Sequence, residues 1–407
     1  MKKIVSVVVC LCLVAAVFVG LVGCQNNRDE VLKLYMPGEY IDEEIFAEFE
    51  SWYMEQTGKK VKVQIETFDA VENIQLAVEA NRSDYDLLCP SDYMVEYLIK
   101  NDLLKKVDKS VLDITADGLF VPAYLDTTRE FDPTLEYSVP YMYGTLGLVY
   151  DYSKTGKHID SWESFFGSEF ASRRSLKDSM RDAYAVACIY NARNTLSGLT
   201  GAAQKQAIQA VFEDTSVATV NAAKAALQGV INGGAVLDVD NIKFEMAANQ
   251  QGAPAVALMW SCDAGYVMNT YEDADGNEHE GNHNLWYVVP KEGGNVYIDN
   301  FVISKYAKNE QAANYFLKFL CTKEIAVKNS EYAGCISPVT AAYEELLQYY
   351  TEDEDELFSE EDIESGWKAM FVETMFPSPD TLNRCGVMKD FDTAGKTRVV
   401  EMWGNVQ

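Results

Sequence analysis

The chain has 407 residues, 48% of them hydrophobic, and its 34 Lys and Arg face 63 Asp and Glu, a formal net charge of −29. That length holds two domains or one large interleaved pair, with enough apolar residues for a sizeable core. The acid excess argues against a nucleic-acid partner, whose phosphates need a basic face; it suits a cationic ligand, although acidity also serves solubility.

The N-terminus opens with a charged Met1-Lys2-Lys3, followed by an apolar run over residues 4–22. The "LVGC" at 21–24 has the form of a lipobox, in which the Cys24 thiol is acylated and residues 1–23 are removed as a signal peptide. The alternative is a plain membrane anchor, because the run is just long enough to span a bilayer. Residues 24–30 then read as a short polar tether. No later stretch is long and apolar enough to span, so the mature chain is expected to hang outside the cytoplasm from one bacterial membrane by its lipid.

Strand and helix patterns alternate from residue 31. "VLKLYM" (31–36) reads as a strand, and 42–58 as a helix whose Ile45, Phe46, Phe49, Trp52 and Tyr53 form one stripe, with Gly58 at its C-terminal cap. "KVKVQIETF" (60–68) alternates as a strand does, 70–81 is helical, "YDLLCP" (85–90) is a short buried strand, and a helix starts at Ser91. This order predicts an α/β domain with a parallel sheet, whose ligands sit beyond the C-terminal strand ends. Gly38-Glu39-Tyr40 and Ser91-Asp92-Tyr93 both fall at that edge.

A second α/β region follows "YSVPYMYGTLGLVYD" (137–151). It holds "SWESFF" (161–166), a helix near 180–194, Ala-rich helices over 201–229, and a strand running into a helix at "APAVALMWSCDAGY" (253–266). "GGNVYIDNFVIS" (293–304) is an apolar strand with Asp299 in its middle. A carboxylate in a buried strand costs several kcal/mol unless a cation meets it. An internal Lys or Arg, an edge position facing water, or an arriving ligand would each supply the compensation. "NEQAANYFLKFLCT" (309–322) is an amphipathic helix, and the acidic run at 352–364 reads as a solvated loop and helix start without calcium-loop spacing.

Beyond the signal and Cys24, six cysteines remain: Cys89, Cys188, Cys262, Cys321, Cys335 and Cys385. Their spacing makes no metal pattern. An exported chain can oxidise such residues, yet most sit in apolar surroundings, so buried thiols are expected for most of them.

The order of "LYMPGEYI", "YDLLCPSDYMVEYL", "YSVPYMYGTLGL", "SWESFF", "ALMW", "VVPKEGGNVYIDNFVIS" and "NEQAANYFLKFL" resembles the spermidine/putrescine-binding proteins of polyamine ABC transporters, over nearly all of residues 31–345. The resemblance implies a two-lobe clamshell with a central cleft. One lobe would hold 31–141 and 298–342, the other 145–295 and 345–407, with crossings near 141–145, 295–298 and 341–345. It implies a monomeric carrier that binds a polyamine, hands it to permease subunits, and uses no catalytic step, cofactor or metal. By the same resemblance Asp299 grips one ammonium, Trp260 and Tyr297 are aromatic walls, Ser91 and Tyr93 form the hydroxyl-bearing helix start, and Glu39 is a carboxylate of the first loop. Asp182 matches the carboxylates at the other end, with Asp178 as the alternative. Aromatic rings suit such a ligand because they pack methylenes and attract ammonium groups. The chain departs from the pattern at Pro37-Gly38, where an aromatic and a hydroxyl are missing, at Cys335, and at Asp263, an added acid beside Trp260.

One rival motif is present. "HEGNH" (279–283) satisfies H-E-x-x-H, a zinc-protease pattern with His279 and His283 as ligands and Glu280 as base. That chemistry needs both His on one helical face. Gly276, Asn277, Gly281 and Asn282 make the stretch a turn or surface loop instead.

Overall fold

A computed structural model describes residues 28–238, 241–272, 277–352 and 358–406. The signal segment, Cys24 and most of the tether lie outside the described residues, as does the centre of the acidic run. No helix among the described residues is long and apolar enough to cross a membrane.

Strand β1 (Val31–Pro37) is buried over most of its length, as a strand covered on both faces must be. It pairs in parallel with the half-exposed β2 (Lys62–Phe68) on one side and with β3 (Leu87–Leu88) on the other. Helix α1 (Ile45–Thr57) buries Ile45, Phe46, Phe49 and Tyr53 of the expected stripe. It ends at Gly58, whose φ of 70° is left-handed and whose N–H closes on the Met54 carbonyl. Helix α2 (Asp92–Lys100) follows β3 directly.

Two long strands form the centre. β4 (Ser138–Asp151) is buried at every position and pairs antiparallel with β9 (Gly294–Ser304). Between them in the chain come β5 (Arg174–Lys177), α3 (Met180–Leu196), α4 (Gly201–Glu213), α5 (Val217–Asn232), β6 (Val236–Asp238), β7 (Val256–Trp260), α6 (Ser261–Met268) and β8 (Leu285–Val288). The main sheet runs β2-β1-β3-β9-β4-β7-β5-β6, with β8 also paired to β4. Its outer wings, β2-β1-β3 and β7-β5-β6, are parallel, and only the middle is antiparallel. This is a two-lobe clamshell in which each wing is the sheet of one lobe and β4 with β9 belongs to both. Residues 295–298 lie opposite 143–146 in that central pair, and 341–345 lie early in a helix (Thr340–Glu352).

The first wing is fastened by a buried carboxylate. Asp86 is fully buried and accepts hydrogen bonds from the backbone N–H groups of Lys33, Lys308 and Asn309 and an ion pair from Arg28 at 2.8 Å. It thereby joins the start of β1, the entry to β3 and the turn after β9. Among the described residues four cysteines are free, Cys89, Cys188 and Cys385 buried and Cys321 half-buried, while Cys262 and Cys335 form a disulfide. Three of the six are thus buried thiols, a fourth is a half-buried thiol, and the expectation of mostly buried thiols fails at Cys262 and Cys335, which bond to each other. Cys262 opens α6 after β7, and Cys335 precedes Ile336, whose backbone bridges Tyr143 of β4. The bond therefore ties the two wings beside the central pair.

Removing the Asp86 carboxylate strands three backbone N–H groups and leaves the half-buried Arg28 guanidinium to Asp84 alone. Asp86→Ala is expected to lower unfolding free energy by about 3–5 kcal/mol, read from urea denaturation midpoints.

Candidate functional site

β9 alternates as a strand should. Ile298 and Asn300 are buried, while Tyr297 and Asp299 are half-buried on the opposite face. The ladder slips just after Asp299, which faces Met142, so that Asn300 faces Pro140. A bulge of this kind re-aims a side chain. Asp299 also bridges through its backbone to Ser91.

Its carboxylate meets hydroxyls. Tyr40 Oη donates to Asp299 Oδ2 at 2.7 Å, and the Ser91 side chain is a second donor. Ser91 stands at the N-cap of α2, yet its side chain makes no capping bond. The hydroxyl that would ordinarily satisfy the helix end is given to Asp299 instead. Burial raises the Asp299 carboxyl to about 6, against the lowering pull of Tyr40 and Ser91 and with the help of the Asp182 charge. No described Lys or Arg pairs with it.

The other end of the cleft is built on β5, α3 and β7. Asp182 is buried in the first turn of α3, where Ser179 caps the helix. Its Oδ2 accepts the Trp260 indole N–H at 3.1 Å. Burial pushes the Asp182 carboxyl up, opposed chiefly by the neighbouring Lys177 charge. Trp260 meets Tyr297 edge to face, with ring centroids 6.2 Å apart. Lys177 Nζ lies 3.5 Å from the centre of the Trp260 ring and 3.2 Å from Asp263, which Lys243 also meets at 2.9 Å. Burial disfavours the Asp263 charge, but the two ammonium groups outweigh it and hold the carboxyl at about 2. The extra acid after Trp260 is thus an internal partner.

Tyr297 has a place for its phenol because residue 144 is glycine. A Cβ there would overlap the Tyr297 hydroxyl and ring and crowd the Ser261 hydroxyl. The Tyr297 hydroxyl also contacts Cys262 Sγ at 3.1 Å, and Cys335 Sγ lies 3.9 Å from the Tyr40 hydroxyl. The disulfide is the floor beneath both tyrosines.

The remaining expected residues lie around this centre. Tyr93 is buried, donates to Glu72 at 3.1 Å, and carries the Arg181 guanidinium 4.2 Å above its ring. Arg181 is buried too, 3.8 Å from the Phe391 ring and bonded to the Lys389 carbonyl. Asp92 is buried with Oδ2 unpartnered among the described residues, and burial pushes its carboxyl well up. Glu39 is exposed, at a left-handed φ of 52°. Asp178 continues from β5 toward Asp238, to whose carbonyl its N–H donates.

"HEGNH" offers no helical face. His279 is in a two-residue exposed strand, stacked on Tyr271, and His283 bonds Asp362 at 2.8 Å and stacks on Trp367. Among the described residues no three His, Cys, Asp or Glu side chains group as metal ligands would.

The clamshell thus sets a carboxylate among hydroxyls and aromatic rings between its two wings. A family profile of bacterial extracellular solute-binding proteins matches residues 44–356. The chain belongs to this family. Among curated relatives, it is similar to the spermidine/putrescine-binding periplasmic protein of Salmonella typhimurium, 26% identical over 80% of this chain and 83% of that one. It is also similar to the putrescine/agmatine-binding protein of Pseudomonas aeruginosa, 27% identical over 69% of this chain and 72% of that one. Among solved structures, a spermidine/putrescine ABC transporter substrate-binding protein from Streptococcus pneumoniae superposes with a TM-score of 0.65 at 25% identity, covering 93% of this chain and 98% of that one.

As a solute-binding protein, the chain brings together Asp299, Ser91, Tyr297, Trp260 and Asp182; it leaves Glu39 outside and turns the Tyr93 hydroxyl to Glu72. Sequence reasoning missed Tyr40, which restores a hydroxyl that Pro37-Gly38 had seemed to remove. The signal was its place at a strand end, next to Glu39. Reasoning from sequence also missed Lys177 and Arg181, which lie shortly before Asp182 in the chain.

Gly144→Ala should displace the Tyr297 phenol. An overpacked site of this kind is expected to lose about 1–3 kcal/mol of stability, measured by urea denaturation, together with quenching changes at Trp260.

Proposed function

We propose that this solute-binding protein is the extracytoplasmic receptor of an ABC importer, that it binds a polyamine of the putrescine or spermidine kind in its cleft, and that it delivers the ligand to membrane permease subunits. The observation that carries this reading is Asp299, a half-buried carboxylate with hydroxyl donors and no described Lys or Arg in an ion pair with it. The names of the relatives support the same ligand class. An ammonium arriving with the ligand meets the charge that the protein leaves unmatched. Trp260 and Tyr297 pack the methylenes, Asp182 faces the other end, Ser91 and Tyr40 orient Asp299, and Tyr93 and Glu39 act from the margin. The lobes, 31–141 with 298–342 and 145–295 with 345–407, close over the ligand as a hinge. The carrier works as a monomer, held by a lipid on Cys24, and its task has no catalytic step, cofactor or metal. A zinc protease finds no support in the strand-and-loop setting of His279 and His283.

Calorimetric titration with putrescine and spermidine tests the ligand class, and lack of binding by either rejects it. Asp299→Asn keeps the shape and removes the charge. Truncating one member of a buried charge pair costs about 2–5 kcal/mol, so affinity should fall by roughly thirtyfold or more. The apo melting temperature of the variant should not fall at neutral pH and should rise above wild type. The raised carboxyl means the folded state keeps its proton where the unfolded chain has lost it, so apo stability falls as pH rises from the ordinary carboxylate range to about 6. The Asn variant escapes that loss.

The same carboxyl sets a pH dependence. Below pH about 6 a proton competes with the ligand ammonium for Asp299. Wild-type affinity should decline by up to about tenfold per pH unit there, with proton release seen by calorimetry in buffers of different ionisation heat, and Asp299→Asn should flatten the profile.

A further inference from the structure

The two ends of the cleft differ in charge. At the Asp299 end there is one carboxylate, two hydroxyls and no described cation paired with it. At the Trp260 end two carboxylates, Asp182 and Asp263, meet two ammonium groups, Lys177 and Lys243, and the Glu72 charge also acts on Asp182. Lys177 is the member that reaches the site. Its side chain is 2% exposed, its Nζ lies 3.5 Å from the Trp260 ring centre, and its charge acts on Asp182, the acceptor of the Trp260 N–H.

An indole face attracts one cation, and the quadrupole that holds it is shared by both faces. A ligand ammonium brought to the other face meets a ring already polarised toward Lys177. It also meets Lys177 itself across one ring thickness, in a setting where like charges are poorly screened. Arg181, one residue before Asp182 and above the Tyr93 ring, is faced by Asp92, Glu72 and Asp390, so Lys177 is the cation that bears on the Trp260 ring. Asp263 cannot compensate, because it is already shared by Lys177 and Lys243.

We propose that Lys177 is a specificity residue: its ammonium, seated on Trp260, takes the cation position at that end of the cleft, so that the protein selects short diamines, anchored on Asp299, over longer amines of higher charge. The inference rests on the polyamine reading above and narrows it. Specificity here comes from a repulsive element rather than an added contact.

The test is the ratio of two affinities, putrescine with two ammonium groups and spermidine with three, measured by calorimetry on the mature protein. Wild type is expected to bind putrescine about tenfold or more tighter than spermidine. Lys177→Met keeps an apolar stem of similar length and leaves Asp263 paired with Lys243. It should shrink that ratio by about tenfold, chiefly by tightening spermidine. Lys243→Met removes a positive charge from the same cluster without touching the ring, and should shift the ratio in the same direction by less. It serves if Lys177→Met does not fold. A wild type that prefers spermidine, or a folded Lys177→Met whose ratio stays within about threefold of wild type, overturns the assignment. Should Lys177→Met not fold, a ratio unmoved in Lys243→Met overturns it equally. If the wild type binds neither amine, the polyamine reading itself has failed and this inference falls with it, an outcome distinct from binding without discrimination.

Discussion

Tyr297 and Asp299 share the cleft because β9 pairs with β4 in one register, Tyr297 opposite Gly144 and Asp299 opposite Met142. Strand side chains alternate with a period of two, so a slip of one residue would turn both outward and bring Ile298 and Asn300 in. The register is held on both sides: Asn300 N–H bonds the Pro90 carbonyl, and Tyr143 N–H bonds the Ile336 carbonyl. Ser91, Trp260 and the disulfide are all placed relative to this one ladder. Because it runs through both lobes, the candidate site residues on either side are fixed by a common element.

Asp86, fully buried, and Asp299, half-buried, differ in what the chain itself supplies to the carboxylate. Asp86 receives three backbone N–H groups and Arg28, and its hydrogen-bonding capacity is filled by the chain itself. Asp299 receives hydroxyls alone. A hydroxyl orients a carboxylate without cancelling its charge, and the described residues leave that of Asp299 unmatched. Asp263 is the intermediate case, an acid in the cleft wall whose charge is matched internally by Lys177 and Lys243. Net charge therefore says little about the cleft. The count of matched and unmatched carboxylates within it says more.

The sequence made legible what depends on periodicity and on strand ends. The stripe of α1, the parallel wings, the mid-strand acid at 299 and the two tripeptides at the sheet edge could all be read from spacing. Which member of each tripeptide points inward could not. Glu39 takes a left-handed φ of 52°, which swings it out and leaves Tyr40 to reach Asp299. In the second tripeptide Ser91 turns in, while the Tyr93 hydroxyl turns to Glu72. Lys177 was hidden for a related reason. Its partners come from β7, α6 and the segment near residue 243, and such a meeting is a property of the packed sheet rather than of local sequence. Cys262 and Cys335 gave no spacing signal either, because they are separated by 73 residues.

That disulfide closes a covalent ring around β8, β9 and the two helices that follow. In chain-entropy terms a ring of this size disfavours the unfolded ensemble by about 4 kcal/mol. Its topological effect is simpler. The exposed stretch around residues 278–284 lies inside the ring. A single cut there by a protease would open the polypeptide without releasing a fragment: both pieces stay bound through sulfur, and the severed ends remain anchored by α6 on one side and β8 on the other. Such a nick would be silent in a gel run without reductant and would show as two bands only after the bond is broken.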